Sequence, residues 1–306
     1  MDVSIIIVNY NTKKLLIDCI ESIIEKTFDI NYEIIVVDNN SPESPKNDLL
    51  RLFPNLIYYQ SLSNVGFGNA NNLGVTISTG KYLLFLNSDT LLINNAVKIF
   101  FDFWQNNSDM GIGALGGNLF HDNLSPNFSY AAHFPSLKAI IYYRARFYKF
   151  FNLDFFNDTG VIKKVAFVIG ADLFITKDLF INVGGFDPKI FMYNEDCDLQ
   201  YQLSKYNLNI FNLPDAKIIH KQGSSSTSKQ KLIMEVTSYN YFFNKNFNRT
   251  TSFFYLIIEL IFSFIFFVFG IVLFKKRLIN NYSNLFIYII KSFLKLLNYP
   301  PIIKFL

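Results

Sequence analysis

Three kinds of polar cluster in this 306-residue chain hold residue types that do chemistry. The densest is Glu195-Asp196-Cys197-Asp198, with three carboxylates in four residues. Carboxylates this crowded repel one another, which raises the proton affinity of one of them, as a general base requires. The plainer reading is a charged first turn, because a helix dipole favours acids at its start. Three in four overshoot that need. A second cluster, Asn87-Ser88-Asp89, ends the apolar run Tyr82–Leu86 within Lys81–Thr90 (KYLLFLNSDT). An aspartate there can face a metal or a ligand, or the cluster is a turn and helix N-cap. The third kind repeats this arrangement: Asp38-Asn39-Asn40-Ser41 and Asn9-Tyr10-Asn11-Thr12 each follow a β-branched run.

These clusters need elements that bring them together. A short apolar run bounded by a glycine and polar residues predicts a strand buried on both faces, with its polar tip at the carboxyl end. The strands predicted on this ground are Val3–Val8, Glu33–Val37 and Leu56–Gln60, with Lys81–Thr90 as the organising one. Helical spacing predicts helices over Lys13–Lys26, Asp48–Phe53 and the segment opened by Gly66-Phe67-Gly68-Asn69-Ala70-Asn71. Strand and helix alternating through the first ninety residues predict an α/β fold, a mainly parallel central sheet flanked by helices. Right-handed crossovers place the successive tips on one sheet edge, where such folds bind ligands. The glycine-rich loop opening a helix offers N–H groups to a phosphate, but it matches neither the dinucleotide fingerprint nor a Walker loop with its lysine.

Further on, Ala96–Asn106 reads as a helix and Met110–Leu119 as a glycine-spaced strand. From His121 to Thr159 the pattern breaks down; Arg144, Arg146 and Lys149 stand close together there, as a solvated helix face or a patch meeting phosphate or membrane. His121 and His133 read as surface or turn residues. Gly184-Gly185-Phe186-Asp187-Pro188 is a tight turn before the acidic cluster, whose helix runs to about Lys205. Leu208–His220 reads as a strand pair ended by His220.

The composition bounds the function. A formal net charge of +4 gives no support to a nucleic-acid role. Two cysteines far apart, Cys19 and Cys197, suit a reducing compartment and no disulfide framework. The segment MDVSIIIVNYN has no basic region before its apolar run, so no secretory signal is expected and the catalytic portion is placed in the cytoplasm.

VSIIIVNYN, IIVVDNNS, LSNVGFGNANNLG and YLLFLNSDT, in this order and spacing, resemble the family 2 glycosyltransferases, inverting enzymes of the GT-A fold, and in particular their bacterial rhamnosyltransferase-like branch. The resemblance implies a nucleoside-diphosphate-sugar donor, a glycan or lipid-linked glycan acceptor and a divalent metal, Mg²⁺ or Mn²⁺. It puts Asp38 on the donor base, Asn9 and Asn11 in the base pocket, and Asn64 near the ribose or diphosphate. Asn87-Ser88-Asp89 takes the place of the family's Asp-x-Asp, with Asp89 on the metal; Asn87 stands where the first carboxylate would be, one charge fewer. The Gly-Gly-Phe-Asp turn followed by Glu-Asp-x-Asp resembles the acceptor-side signature, which gives Asp196 the base role and Glu195 support, with the reverse open. His220 would be a metal or diphosphate ligand, although a lone histidine is more often structural. The processive members' Gln-x-x-Arg-Trp is absent, and the single tryptophan is Trp104, which favours addition of one sugar. Two rivals are a nucleotidyltransferase on a similar sheet and a catalytically degenerate sugar-binding or scaffold subunit.

The C-terminal part changes character. Phe253–Phe274 is 22 residues of apolar side chains broken only by Glu259 and Ser263, long enough to span a bilayer. Basic residues flank both ends, and Leu285–Leu297, with Lys291 and Lys295 a turn apart, fits a helix lying in the interface. The alternative is a packed hydrophobic helical hairpin. The expected organisation is a catalytic domain over 1–245, divided into a nucleotide-binding half (1–119) and an acceptor half (120–245), then a membrane-associated helical region over 246–306. That region would anchor the chain on the cytoplasmic face of the cell membrane. The Ser/Thr/Lys/Gln loop running to Lys231 is expected to close over the donor.

Overall fold

Seven consecutive buried residues, Val3–Asn9, form strand β1. Tyr32–Asp38 (β2) and Tyr82–Asn87 (β4) pair with it in parallel on its two sides, and Ile57–Gln60 (β3) extends the sheet beyond β2. The β-branched run Ile5-Ile6-Ile7 suits this double-sided burial, because branching at Cβ stiffens χ1 and packs well on a pleated surface. Helices α1 (Lys13–Lys26), α2 (Lys46–Leu52) and α3 (Phe67–Ile77) make the crossovers. The computed structural model describes residues 1–145, 154–221 and 228–298. Among the described residues the main sheet has nine strands, and its order is β3-β2-β1-β4-β10-β6-β11-β5, with β8 on β11.

The remaining strands make the sheet mixed. Asp172–Thr176 (β10) runs antiparallel between β4 and Ile112–Phe120 (β6); Asn209–His220 (β11) lies parallel to β6; Thr90–Leu92 (β5) and Lys163–Val165 (β8) are antiparallel to β11. The predicted strand pair over Leu208–His220 is a single strand. Pro214, which suggests a break, sits where the register against β6 shifts between Leu213 and Lys217, a bulge that needs no N–H from it. Ala96–Asn106 (α4), Lys177–Asn182 (α6) and Glu195–Lys205 (α7) complete this unit, and the two short strands Tyr130–Ala131 (β7) and Phe167–Val168 (β9) pair with each other.

A buried carboxylate locks the sheet at the end opposite the polar tips. Glu33 of β2 accepts from Ser4 Oγ at 2.5 Å and from Thr79 N at 2.6 Å, while Gly80 N, entering β4, donates to Ser4 Oγ at 2.8 Å. Burial alone would raise the proton affinity of Glu33, but these donors outweigh it and hold the carboxyl below its ordinary range.

By its contacts the chain divides into two units: Met1–Phe134 with Asp154–Ser225, and Pro135–Leu153 with Ser226–Leu306. The second is helical: Leu137–Arg144 (α5), Ser228–Asn246 (α8), Arg249–Val272 (α9) and Lys276–Asn298 (α10). Helix α5 and helix α8, placed by sequence in the acceptor half, thus group with the C-terminal helices. The expected solvated face at Arg144 is corrected: its Nε donates to Glu259 of α9 at 2.9 Å, and the two side chains are 13% and 2% exposed. A partner 115 residues away leaves no local trace. Arg146, Lys149 and residues 222–227 of the loop expected to close over the donor lie outside the described residues, while the end of that loop, up to Lys231, is the first turn of α8.

Two stability outcomes follow. Because the folded proton affinity of Glu33 is lowered, its contribution is present above the ordinary value of 4.5 and is lost as pH falls through the folded value. Glu33→Gln should therefore lower the urea midpoint at pH 7 and show a smaller gap from the unsubstituted protein near pH 3. Gly66, at the start of α3, has φ +88°, and a Cβ there would stand 2.1 Å from Phe191 O. Gly66→Ala should cost about 3 kcal/mol in chemical denaturation, from left-handed strain plus the clash. Gly160→Ala, at φ +72° with open space around it, should cost only about 1 kcal/mol.

Candidate active site

Parallel register sets the tips of β1, β2 and β4 abreast: Asn9 pairs with Asp38, and Val8 with Asn87. Asp38 is wholly buried. Its Oδ1 accepts from Asn9 Nδ2 and from Ser41 Oγ, each at 2.6 Å, and its Oδ2 from Ser41 N at 3.0 Å and Gln60 Nε2 at 2.9 Å. Both oxygens are thus engaged by neighbouring residues. Asn11, exposed and left-handed at φ +59°, donates its N–H to Ser41 Oγ at 2.8 Å. Asn64 Oδ1 accepts from Asn39 Nδ2 at 2.9 Å and from Gly66 N at 3.1 Å. Sequence reasoning missed Asn39, Ser41 and Gln60, which hold the strand tips and the loop before α3 together. Asn39 and Ser41 stand beside Asp38 in the quoted cluster, whereas Gln60 becomes a neighbour only through the β2–β3 register.

The organising strand ends on a second convergence. His220 Nε2 lies 3.4 Å from Asp89 Oδ1 and 3.3 Å from Asn87 Nδ2. His220 is far from the other two in sequence; β5 and β11 bring it to them, with Thr90 paired to His220 and Lys221 N donating to Asp89 O at 3.0 Å. Thr12 joins the cluster to β1, accepting or donating at 2.9 Å to Ser88 Oγ and donating to Asn9 Oδ1 at 2.8 Å. Asn87 Oδ1 and His220 Nδ1 are buried without a protein partner.

A divalent cation fits this donor set. The Asp89 carboxylate and the His220 imidazole face each other at 3.4 Å, with the Asn87 amide turning its Nδ2 towards the same ring nitrogen, and small hard cations commonly take the remainder of their shell from substrate phosphates and water. Among the described residues no group of three or more His, Cys, Asp or Glu side chains stands ready to hold an ion without such help.

The acidic cluster opens α7 in the same unit. Tyr193 and Asn194 precede it, both at φ +68°, a conformation that side-chain-bearing residues hold only when their surroundings impose it. Asp196, half-buried, accepts from Gly170 N at 2.7 Å through Oδ2 and from Cys197 N at 2.8 Å through Oδ1. Glu195 is buried and its Oε2 has no partner. Burial raises the proton affinity of both carboxyls; for Glu195 the charge of Asp196 adds to it, while for Asp196 the two N–H donors oppose it.

Gly170 and Ala171 tie the clusters together. Gly170 N holds Asp196, and the next carbonyl, Ala171 O, accepts from Asn87 N at 3.0 Å. Two consecutive residues therefore fix the crowded carboxylates against the tip of β4. The asparagine-rich helix α3 adds a second tie: Asn72 Nδ2 donates to Phe186 O at 2.8 Å, Phe186 N returns to Asn72 Oδ1 at 3.1 Å, and Asn69 Nδ2 donates to Pro188 O at 3.1 Å. The arrangement brings a candidate base, a carboxylate–imidazole pair and a buried polar network to one edge of the sheet.

The poly(ribitol-phosphate) beta-glucosyltransferase of Bacillus spizizenii is 32% identical over 123 residues, 38% of this chain and 19% of that protein. The poly(ribitol-phosphate) beta-N-acetylglucosaminyltransferase TarP of Staphylococcus aureus is 30% identical over 120 residues, 37% of this chain and 36% of that protein. The match thus spans well under half of the length of either relative. Among solved structures, that of GalNAc-T7 with UDP, GalNAc and Mn2+ superposes with a TM-score of 0.55 at 16% identity, covering 79% of this chain and 50% of that one. That likeness supports the GT-A fold. The sequence profile of glycosyl transferase family 2 matches residues 4–162, just over half of the chain. The chain therefore belongs to glycosyl transferase family 2.

Proposed function

We propose that this protein is an inverting glycosyltransferase that moves one sugar from a nucleoside diphosphate to a hydroxyl of a glycan or lipid-linked glycan at the cytoplasmic face of a membrane. The observation that carries this reading is the Gly170-Ala171 tie, which sets Asp196 beside the strand tip bearing Asn87 and Asp89. Two relatives are named for transfer to poly(ribitol phosphate), so a polyol-phosphate polymer joins the acceptors to be tested. Rhamnose, implied by the resemblance of the strand-tip blocks, is the first donor sugar to try.

The chemistry assigns each residue a task. Asp196 accepts the proton of the acceptor hydroxyl as its oxygen bonds to the anomeric carbon. The bond from that carbon to the diphosphate oxygen breaks on the opposite face, which inverts the centre. The Gly170 and Cys197 N–H groups keep the Asp196 carboxylate aimed, while Glu195, held towards its neutral form by burial, avoids a second charge beside the base. Asn9, Asn11, Asp38 and Asn64 shape the donor pocket. Asn87 would border the donor, and Asp89 and His220 would hold the divalent cation, which when bound neutralises charge developing on the departing diphosphate.

The first test is calorimetric titration of UDP, dTDP and their sugars, with and without Mg²⁺ or Mn²⁺. Metal-dependent binding of one nucleotide is the expected result, and absence of binding to all of them would remove the donor-site assignment. Asp89→Ala should weaken that binding tenfold or more, and only when metal is present; a variant indifferent to metal would take Asp89 out of the cation site.

Asp196→Asn should keep donor affinity and lose transfer by about two to four powers of ten, the usual contribution of a positioned base. Because Asp196 must be ionised to act and its proton affinity is raised, the rate should climb with pH through a value above the ordinary carboxylate range. Full activity in Asp196→Asn would move the base role to another group.

A further inference from the structure

We infer that α9 lies along the surface of an anionic bilayer, in its plane, instead of crossing it; this deepens the membrane reading above and rests on it. The 24-residue helix is the one described helix long and apolar enough to span. Its two faces are inverted relative to a water-soluble helix. Ser252, Leu256, Glu259, Ser263 and Gly270 share the buried face, whereas Ile261, Phe264, Ile265, Val268 and Val272 share the opposite face and are exposed. Polar and small residues inside with large apolar residues outside suit a lipid surrounding.

The charges of its own unit weigh against a crossing. At about 1.5 Å per residue, Glu259 stands about 15 Å from Arg249 and about 20 Å from Val272, which is mid-depth if the helix were upright. Arg144 of α5 is bonded to Glu259 there, and its charge also interacts with Glu235 of α8, itself 3.9 Å from Lys231. Helix α10 runs antiparallel beside α9 along its length: Phe293 meets Phe253, Phe286 meets Phe264, and Tyr282 meets Phe266. An upright α9 would carry Arg144, Glu235, Asn284 and Lys291 into hydrocarbon, where such groups are expensive. Lying flat, the helix sinks only its apolar face, by about 5–10 Å, and leaves the charged network on the other side.

The charge pattern selects the lipid. Arg249, Lys275, Lys276, Arg277 and Lys291 are all exposed, and the one acid between Arg249 and Phe293, Glu259, is buried and paired. A positive rim around an apolar face fits anionic headgroups.

The test is sidedness in the full chain. Thr250→Cys and Lys276→Cys bracket α9 at exposed positions, while Cys19 and Cys197 are buried. A membrane-impermeant maleimide should label both positions in inverted vesicles and neither in intact cells. Labelling of the two positions from opposite sides would overturn the in-plane placement. The purified chain should also float with phosphatidylglycerol vesicles about tenfold more than with phosphatidylcholine vesicles, and high salt should weaken this binding. Failure to float with either would overturn the bilayer surface as occupant and leave a soluble helical hairpin. Donor titration on the same preparation reads the transferase assignment separately, so loss of one result leaves the other standing.

Discussion

The register of β1 between β2 and β4 is the constraint on which the site depends. A one-residue slip in a sheet turns every side chain to the opposite face, so the polar tips converge only if the pairing holds. At one end, Glu33, Ser4 and Gly80 bind the three strands through a buried carboxylate and its donors. Gly80 has no room for a side chain there, since a Cβ would lie 2.5 Å from Ser4 N. At the other end, Asp38 repeats the device with Asn9, Ser41 and Gln60. A carboxylate left without these donors would be strongly unfavourable in such surroundings, so both locks discriminate between registers more than they add net stability.

The N-terminal strands and helices were legible because their information is local. Lys13–Lys26 and Ala96–Asn106 show unbroken helical spacing and form helices with those bounds, and each β-branched run of the first ninety residues is a strand of the parallel group. What escaped depends on contacts between distant residues. Pro214 reads as a break until the bulge against β6 removes its need for a hydrogen bond. Arg144 reads as solvated until Glu259 is beside it. Within the site, the strand tips and the acidic helix start stand out by residue type, while Gln60, Gly170 and Ala171 are chemically plain and matter through backbone groups and register. His220 lies between: its type invites a ligand role, but its proximity to Asp89 exists only through the β5–β11 pairing.

The abundance of asparagine has a structural use here. An amide side chain both donates and accepts, so one residue can close a ring with a backbone N–H and a backbone carbonyl. Asn72 does this with Phe186, and Asn39 does it across Val65 and Gly66. Neither residue adds a charge beside the proposed donor site. Carboxylates in those places would repel a diphosphate, whereas amides hold the loops with no such field.

Asn87 stands where a first carboxylate would be, so in the proposed site the only charge offered to a cation would be that of Asp89, with His220 beside it. Such a set would bind a bare divalent cation weakly, because affinity for hard cations rises with ligand charge. A diphosphate brings the missing negative charge with it, so cation and donor would bind far better together than either alone. A site built this way favours the whole donor complex over loose metal, and after transfer the released nucleoside diphosphate would carry the cation's remaining ligands out with it.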